Sequence, residues 1–210
     1  MIELHGLAAL KRPLMRVALC GAVLVSLQGC VEMVVGGAVM GTLAATDRRT
    51  LGAQTDDKTI TVKAETRIPG LAGESGHVNI ASFNRKILLT GEVRDEQTKA
   101  LIEREVRTIE GVQSIVNELE LTSPSRYTER SNDGLITGKV KASFVDEKQL
   151  SANSIKVVTE RGNVYLMGRV TQREGELAGQ IARGVNGVRS VVKVFEYVTD
   201  EELRQSALLR

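Results

Sequence analysis

The chain repeats itself at a spacing of 76 to 77 residues. At a shift of 77, Gly91 aligns with Gly168, and three apolar residues of the first half align with apolar residues of the second: Ile80 with Val157, Ile87 with Val164, and Leu89 with Leu166. At a shift of 76, Gly111 aligns with Gly187 and Ile60 with Ile136. Two copies of this length are too few for a solenoid. The duplication therefore predicts two small tandem domains, each with its own core.

Both copies show the same order of periodic segments. Apolar residues at helical spacing predict a helix over residues 57–68 and over residues 134–145. Alternation then predicts a β-hairpin that turns at residues 84–86 in the first copy and 161–163 in the second. A second helix follows, and a last strand closes each copy. The expected caps of these second helices are Asp95 or Thr98 and Thr171 at the start, and Gly111 and Gly187 at the end.

The composition limits what these domains can do. Hydrophobic residues make up 42% of the chain and charged residues 26%, which is typical of a folded protein and not of a disordered one. Aromatic residues are only 3% and Trp is absent, so the cores must consist of Val, Ile, Leu and Ala. Small, tightly packed units are expected instead of large ligand pockets.

The N-terminus is typical of a secreted protein with a lipid anchor. Residues 1–16 are mildly basic, and the apolar run 17–27 is too short to span a bilayer. The run ends in Leu27-Gln28-Gly29-Cys30, which resembles the bacterial lipobox and predicts a signal peptide over residues 1–29. The resemblance implies a diacylglycerol and a further acyl chain on Cys30, a covalent anchor and no other cofactor. With Val31 after the cysteine instead of Asp, it also implies sorting to the outer membrane.

Several alternatives stay open at this end of the chain. Cys20 and Cys30 could be ordinary thiols in an apolar helix, and Met15 instead of Met1 could be the true start. Residues 31–46 are apolar and Gly-rich, which fits either a flexible tether or a segment packed at the lipid surface. The expected organisation is a lipidated tether over residues 30–55, domains at 56–122 and 133–199 joined by a polar linker at 123–132, and a helical tail at 200–210.

The repeat resembles the BON domain, which has a Gly in its second strand and a Gly-Val about 20 residues later. The whole chain is similar to dual-BON outer-membrane lipoproteins of the DolP type, in the lipobox, in residues 44–49, in the Asp-Asp before the first helix, and in residues 164–168. The resemblance implies an α/β fold, an α+β sandwich of two αββαβ domains, each a three-stranded mixed sheet backed by two helices. It also implies binding of anionic phospholipid through one domain, concentration at the division site, and support of outer-membrane integrity from the periplasmic side. Soluble, osmotically induced relatives lack the anchor.

The charge balance selects the second domain for contact with lipid. Residues 56–122 carry 9 Lys or Arg against 12 Asp or Glu, whereas residues 131–199 carry 10 against 7. Only the second domain therefore attracts an anionic surface. In its first helix Leu135 replaces the Thr59 of the first copy and falls beside the core positions, so it should be exposed near the helix N-terminus. The predicted lipid-binding residues are Leu135, Gly138, Lys139 and Ala142.

Other interpretations of these residues remain possible. Leu135 could pack against the first domain or the linker, or be an isolated exposed leucine. In the DolP-type relatives the matching position is aromatic, so a leucine there predicts weaker affinity or a different contact. The main alternative function is a protein–protein adaptor of the envelope, acting through the acidic first domain or through exposed sheet edges.

The residues that catalysis would need are scarce. After residue 30 the chain has one His, His77, and no Cys, and it has neither a metal-binding spacing nor a phosphate-binding glycine motif. His77 is expected at the surface, and Glu103, Glu105 and Glu110 are expected on a solvated helix face. We therefore expect a binding protein and not an enzyme. Nucleic acid is not an expected partner, because aromatic residues are few and the compartment is outside the cytoplasm.

Overall fold

The computed structural model describes residues 47–73 and 76–208. The predicted signal peptide, Cys30 and the segment 31–46 lie outside these residues. Within the two described ranges, no helix is both long enough and apolar enough to cross a bilayer.

The first domain consists of two helices and one mixed sheet. Helix α1 (Leu51–Ala72) precedes the antiparallel hairpin of β1 (His77–Phe83) and β2 (Lys86–Val93). Helix α2 (Glu96–Arg107) then leads to β3 (Ser114–Asn117) and β4 (Glu120–Leu121), both of which pair in parallel with β2. These two short strands replace the single last strand that the sequence predicts.

The second domain repeats this order. Helix α3 (Tyr127–Asp146) is followed by the hairpin of β5 (Ile155–Glu160) and β6 (Asn163–Val170), by helix α4 (Gln172–Gly184), and by strand β7 (Ser190–Tyr197), which is parallel to β6. A terminal helix, α5 (Asp200–Leu208), follows. The predicted fold class is confirmed, with two αββαβ domains and two mixed sheets.

Both hairpins turn in two residues, at the predicted positions. Asn84 and Arg85 have φ of 50° and 63°, and Arg161 and Gly162 have φ of 51° and 78°. Positive φ at both central residues gives a turn whose twist matches that of the flanking strands. A buried carboxylate holds each turn: Asp57 accepts from the amides of Asn84 and Arg85 at 2.7 and 2.8 Å, and its repeat partner Asp133 accepts from those of Arg161 and Gly162 at 2.8 Å.

The predicted helix positions form one core in each domain. In the first domain, Ile60, Ala64 and Ile68 of α1 and Ile102 and Val106 of α2 are buried against the helix-facing side of the sheet. In the second domain the buried helix residues are Ile136, Val140, Phe144, Ala178 and Ala182. Apolar spacing predicts Ile181 and Val185 as the inward residues after Ala178, but these two are only partly buried and Ala182 takes the fully buried place. Each domain therefore has its own core, as the duplication predicts.

The predicted helix ends need correction. Helices α1 and α3 begin at Leu51 and Tyr127, several residues before the predicted starts, so that the start of α3 lies inside the predicted linker. Polar caps outside the apolar pattern cause this: the Thr50 hydroxyl accepts from the amide of Ala53, and the Glu129 carboxylate accepts from the amide of Arg126.

The second helices end earlier than predicted. Helices α2 and α4 stop at Arg107 and Gly184, not at Gly111 and Gly187. Those two glycines lie in the following turns with φ of 92° and 101°. Their backbone conformation still requires glycine, but it serves the turn and not the helix cap.

The two sheets pack face to face, and this arrangement was not predicted. Successive residues of a strand point to opposite faces, so one face of each sheet meets its own helices and the other face meets the other domain. The contact between the domains, called the domain seam below, has an apolar centre of Ala81, Phe83, Leu88, Tyr165, Met167 and Val194. The helices therefore lie on the two outer sides of a sheet–sheet sandwich.

Candidate functional site

Helix α3 presents the four predicted lipid-binding residues on its outer side. Leu135 is 65% exposed, and Gly138, Lys139 and Ala142 are also exposed. The opposite side of the helix carries the buried Ile136, Val140 and Phe144. The expected exposure of Leu135 is confirmed, and the side chain does not pack against the first domain or the linker. Its role in lipid binding stays a prediction.

The exposed apolar surface of α3 is longer than the sequence indicated. At 100° per residue, six uncharged residues follow one line along the helix. They are called the α3 stripe: Tyr127, Ser131, Leu135, Gly138, Ala142 and Val145. Tyr127 is 84% exposed and Val145 is 71% exposed. The Ser131 hydroxyl donates to the carbonyl oxygen of Tyr127 at 2.9 Å, which reduces the polarity of the stripe further.

The prediction that Leu135 lies near the helix N-terminus is wrong. Because α3 begins at Tyr127, Leu135 is more than two turns into the helix. Unbonded amides occur only in the first turn, where the helix dipole also acts. The positive charge near Leu135 therefore comes from side chains such as Lys139 and not from the backbone.

The equivalent lysines of the two domains have different surroundings. In the first domain, Lys63 lies 3.4 Å from the carboxylate of Glu110. The repeat places Asn186 where the first domain has Glu110, so this ion pair has no counterpart at Lys139. Thr59, the counterpart of Leu135, donates its hydroxyl to the carbonyl oxygen of Thr55 at 3.0 Å. An exposed leucine beside a lysine is thus a feature of the second domain's first helix.

Arg48 and Arg49, in the segment before α1, form hydrogen bonds to both domains. Arg48 donates to both carboxylate oxygens of Glu174, at 2.7 and 2.6 Å, and to the carbonyl oxygen of Arg169. Arg49 donates to Asp57 of the first domain at 2.8 Å, and its guanidinium lies 4.4 Å from the centre of the Phe83 ring. Burial raises the pKa of Glu174, but hydrogen bonds from Arg48 and Thr171 outweigh it and the pKa is lowered. No sequence pattern predicts the Arg48–Glu174 contact, because the two residues are 126 positions apart in the chain.

Polar contacts also cross the rim of the domain seam. Asn84 donates to the carboxylate of Glu196 at 2.6 Å, and Lys156 donates to the carbonyl oxygen of Ser82 at 3.3 Å. His77, expected at the surface, is half-buried here, and burial together with the nearby charge of Arg130 lowers its pKa. In the part of the chain that the structure describes, no cluster of three or more His, Cys, Asp or Glu side chains could hold a metal ion.

Comparison with known proteins agrees with this geometry. The BON domain family matches residues 56–123 and 132–199. The chain is also 35% identical over 188 residues to the outer membrane lipoprotein DolP of Haemophilus influenzae, an alignment that covers 89% of this chain and 97% of the relative. The chain belongs to the BON family. It is an outer-membrane lipoprotein of the DolP type.

Two further relatives match part of the chain. The 21 kDa hemolysin of Actinobacillus pleuropneumoniae is 29% identical over 154 residues, which cover 72% of this chain and 79% of the relative. The osmotically-inducible protein Y of Escherichia coli strain K12 is 43% identical over 61 residues, or 29% of this chain and 30% of the relative. Of these three relatives, DolP is aligned over nearly the whole length of both chains.

Proposed function

We propose that this DolP-type protein binds anionic phospholipid through the α3 stripe of its second BON domain. The observation that carries the proposal is the exposed, uncharged line from Tyr127 to Val145, with Lys139 at its border. A helix of this kind lies in the plane of the membrane interface, with its apolar side chains among the acyl chains. Lysine buries its methylenes and keeps its charge at the level of the phosphates. The second domain's excess of basic residues adds attraction to an anionic surface.

The proposed physiological role follows from this binding. Anchored in the outer membrane and bound to its periplasmic leaflet, the protein supports envelope integrity and concentrates at the division site. The chain acts in this role as a binding module without catalysis. Tyr127 supplies an exposed aromatic ring at one end of the stripe, and an amphipathic ring of this kind suits the membrane interface.

We expect Leu135→Glu and Lys139→Glu each to weaken binding to anionic vesicles strongly. Burying one leucine side chain contributes about 1.5–3 kcal/mol, so the Leu135 change alone should weaken binding by roughly tenfold to a hundredfold. The measurement is cosedimentation of residues 47–210 with liposomes of neutral or anionic lipid, at low and at high salt. Wild-type protein should sediment with anionic vesicles and be released by salt.

The first domain offers matched controls for this experiment. Thr59→Glu and Lys63→Glu make the same charge changes at the equivalent positions of α1. Both should leave sedimentation within about twofold of wild type, since the free energy involved is below about 0.5 kcal/mol. Equal losses in both domains, or no sedimentation of the wild type, would show that the α3 stripe is not the lipid site.

We further propose that Cys30 carries the lipid anchor. Replacement Cys30→Ala should move the protein from the membrane fraction to the soluble periplasmic fraction, because several acyl chains at about 0.8 kcal/mol per methylene are lost. Fractionation of cells that express the full chain measures this. Cys20→Ala is the matched control and should leave the protein in membranes. Membrane retention of the Cys30 variant would contradict the proposed anchor.

An envelope adaptor is the second candidate function, and the outer side of α1 favours it. Leu51 and Val62 are 72% and 62% exposed there, on the side of the sandwich opposite to α3. An adaptor predicts that envelope integrity survives Leu135→Glu and fails in Val62→Glu. The lipid proposal predicts the reverse outcome in the same cells.

A further inference from the structure

Two carboxyl groups from opposite domains are buried at the domain seam. Glu92 of strand β2 has no exposed surface, and Glu160 of strand β5 is 5% exposed. Each lies on the sheet face that meets the other domain. Burial of an ionised carboxylate is costly unless it is paired and fully hydrogen-bonded.

Neither carboxyl group has a full set of partners. The Glu92 Oε1 atom lies 3.5 Å from the Arg161 guanidinium, whereas its Oε2 atom has no hydrogen-bond partner among the described residues. Glu160 accepts one long hydrogen bond, from the Thr90 hydroxyl at 3.4 Å. Arg161 is also shared with Glu120, at 3.2 Å. The positive charge on Arg161 is therefore divided between Glu92 and Glu120.

The surroundings of Glu160 favour its protonated form. Burial, together with the charges of Glu92 and Asp133, raises the pKa of Glu160 to about 7, while the Thr90 hydrogen bond and Arg130 act in the opposite direction. The titratable and charged groups around it come from both domains and from every element packed there: His77 of β1, Glu92 of β2, Arg130 and Asp133 of α3, Arg161 of the turn, and Tyr165 of β6.

A cleft connects Glu160 with solvent. It has a volume of about 260 Å³ and is lined by residues of both domains, among them His77, Arg130, Thr137 and Glu160. Water in this cleft can deliver or remove the proton while the apolar centre of the seam stays closed. The carboxyl group can therefore titrate in the folded protein.

We propose that the domain seam is a proton-controlled latch, closed while the Glu160 carboxyl is protonated and loosened when that carboxyl ionises opposite Glu92. The pKa of Glu160 is raised above its ordinary value of 4.5, so the closed seam binds the proton more tightly than the separated domains do. The stabilisation is present in full below about pH 4.5 and is lost as the pH rises through about 7. Opening of the latch would expose the apolar centre of the domain seam.

Hydrogen exchange of the full chain, extracted from membranes in mild detergent, tests the latch. Exchange is compared at about pH 5.5 and about pH 8, with rates corrected for the intrinsic effect of pH. In wild type, amides of β2, β5 and β6 should lose roughly tenfold or more of their protection at the higher pH, relative to α2 outside the seam. Glu160→Gln, which cannot ionise, should keep its protection at both values.

A second variant separates titration from a merely structural role. Glu92→Gln removes the opposing charge, lowers the pKa of Glu160, and should move the pH at which protection is lost to a lower value. Glu176→Gln alters an exposed carboxyl of α4 and should behave as wild type. The latch is wrong if wild type and Glu160→Gln lose protection equally between the two pH values. It is also wrong if Glu92→Gln leaves the pH of the transition unchanged.

Discussion

Replacing Gly91 with alanine should strongly destabilise the first domain. A Cβ atom at this position would lie 2.1 Å from the carbonyl oxygen of His77 on the paired strand, and the backbone has φ of 111°. Neither the backbone of β1 nor that of β2 can move away without breaking the hairpin. We expect a loss of about 4 kcal/mol or more in the free energy of unfolding, and a melting temperature lower by about 10 °C or more. Thermal unfolding of residues 47–210, followed by circular dichroism, measures both.

Gly134→Ala is the control for this change. Gly134 lies within α3, and a Cβ atom there would meet no atom within 4 Å. Alanine is the better helix former by about 1 kcal/mol, so this variant should be as stable as wild type or slightly more stable. A Gly91→Ala protein that melts at the wild-type temperature would disprove the close approach of β1 and β2.

Replacing Asp57 with alanine should have the second-largest effect. Its carboxylate accepts four hydrogen bonds, from the Ser82 hydroxyl, the amides of Asn84 and Arg85, and the Arg49 guanidinium, at 2.7 to 2.8 Å. Alanine would leave the buried Ser82 hydroxyl and the two partly buried amides without their acceptor, and each unsatisfied group costs about 1–3 kcal/mol when water cannot reach it. We expect the free energy of unfolding to fall by about 4 kcal/mol, measured by urea titration of residues 47–210.

The neighbouring Asp56 provides a control of the same residue type. Its side chain is 41% exposed and pairs with Arg85, which is 43% exposed. Exposed ion pairs contribute about 0–1 kcal/mol, so Asp56→Ala should be nearly neutral. If both aspartates cost the same, the buried carboxylate does not hold the turn in the way the hydrogen bonds indicate.

The sandwich geometry restricts how the protein can act at a membrane. Because the sheets meet at the domain seam, α1 and α3 lie on opposite outer sides. A bilayer that contacts the α3 stripe leaves the outer side of α1 facing away from it. The Arg48–Glu174 contact fixes where the segment before α1 joins this body. Lipid binding by one domain and partner binding by the other are therefore compatible in one molecule.

Much of this arrangement could be predicted from periodicity. Core positions such as Ile60 and Ile136 were identified correctly because a helix packed on one side buries every third or fourth residue. The exposure of Leu135 followed from its place one residue beside that pattern. The hairpin turns were identified because turn residues interrupt two alternating runs. Element ends were less well predicted, since caps such as Thr50 lie outside the apolar pattern.

The duplication, most of the order of elements, the core positions and the exposed side of α3 could be predicted, because they follow from the local periodicity of apolar residues. Only the tertiary structure showed that the second face of each sheet is also buried. Leu88 and Met167, both fully buried, lie on the seam faces of β2 and β6, where polar residues such as Thr90 and Arg169 alternate with them along the same face, so the sequence does not say what covers that face. The Arg48–Glu174 contact and the facing carboxyls of Glu92 and Glu160 join residues far apart in the chain, and local periodicity carries no information on such pairs.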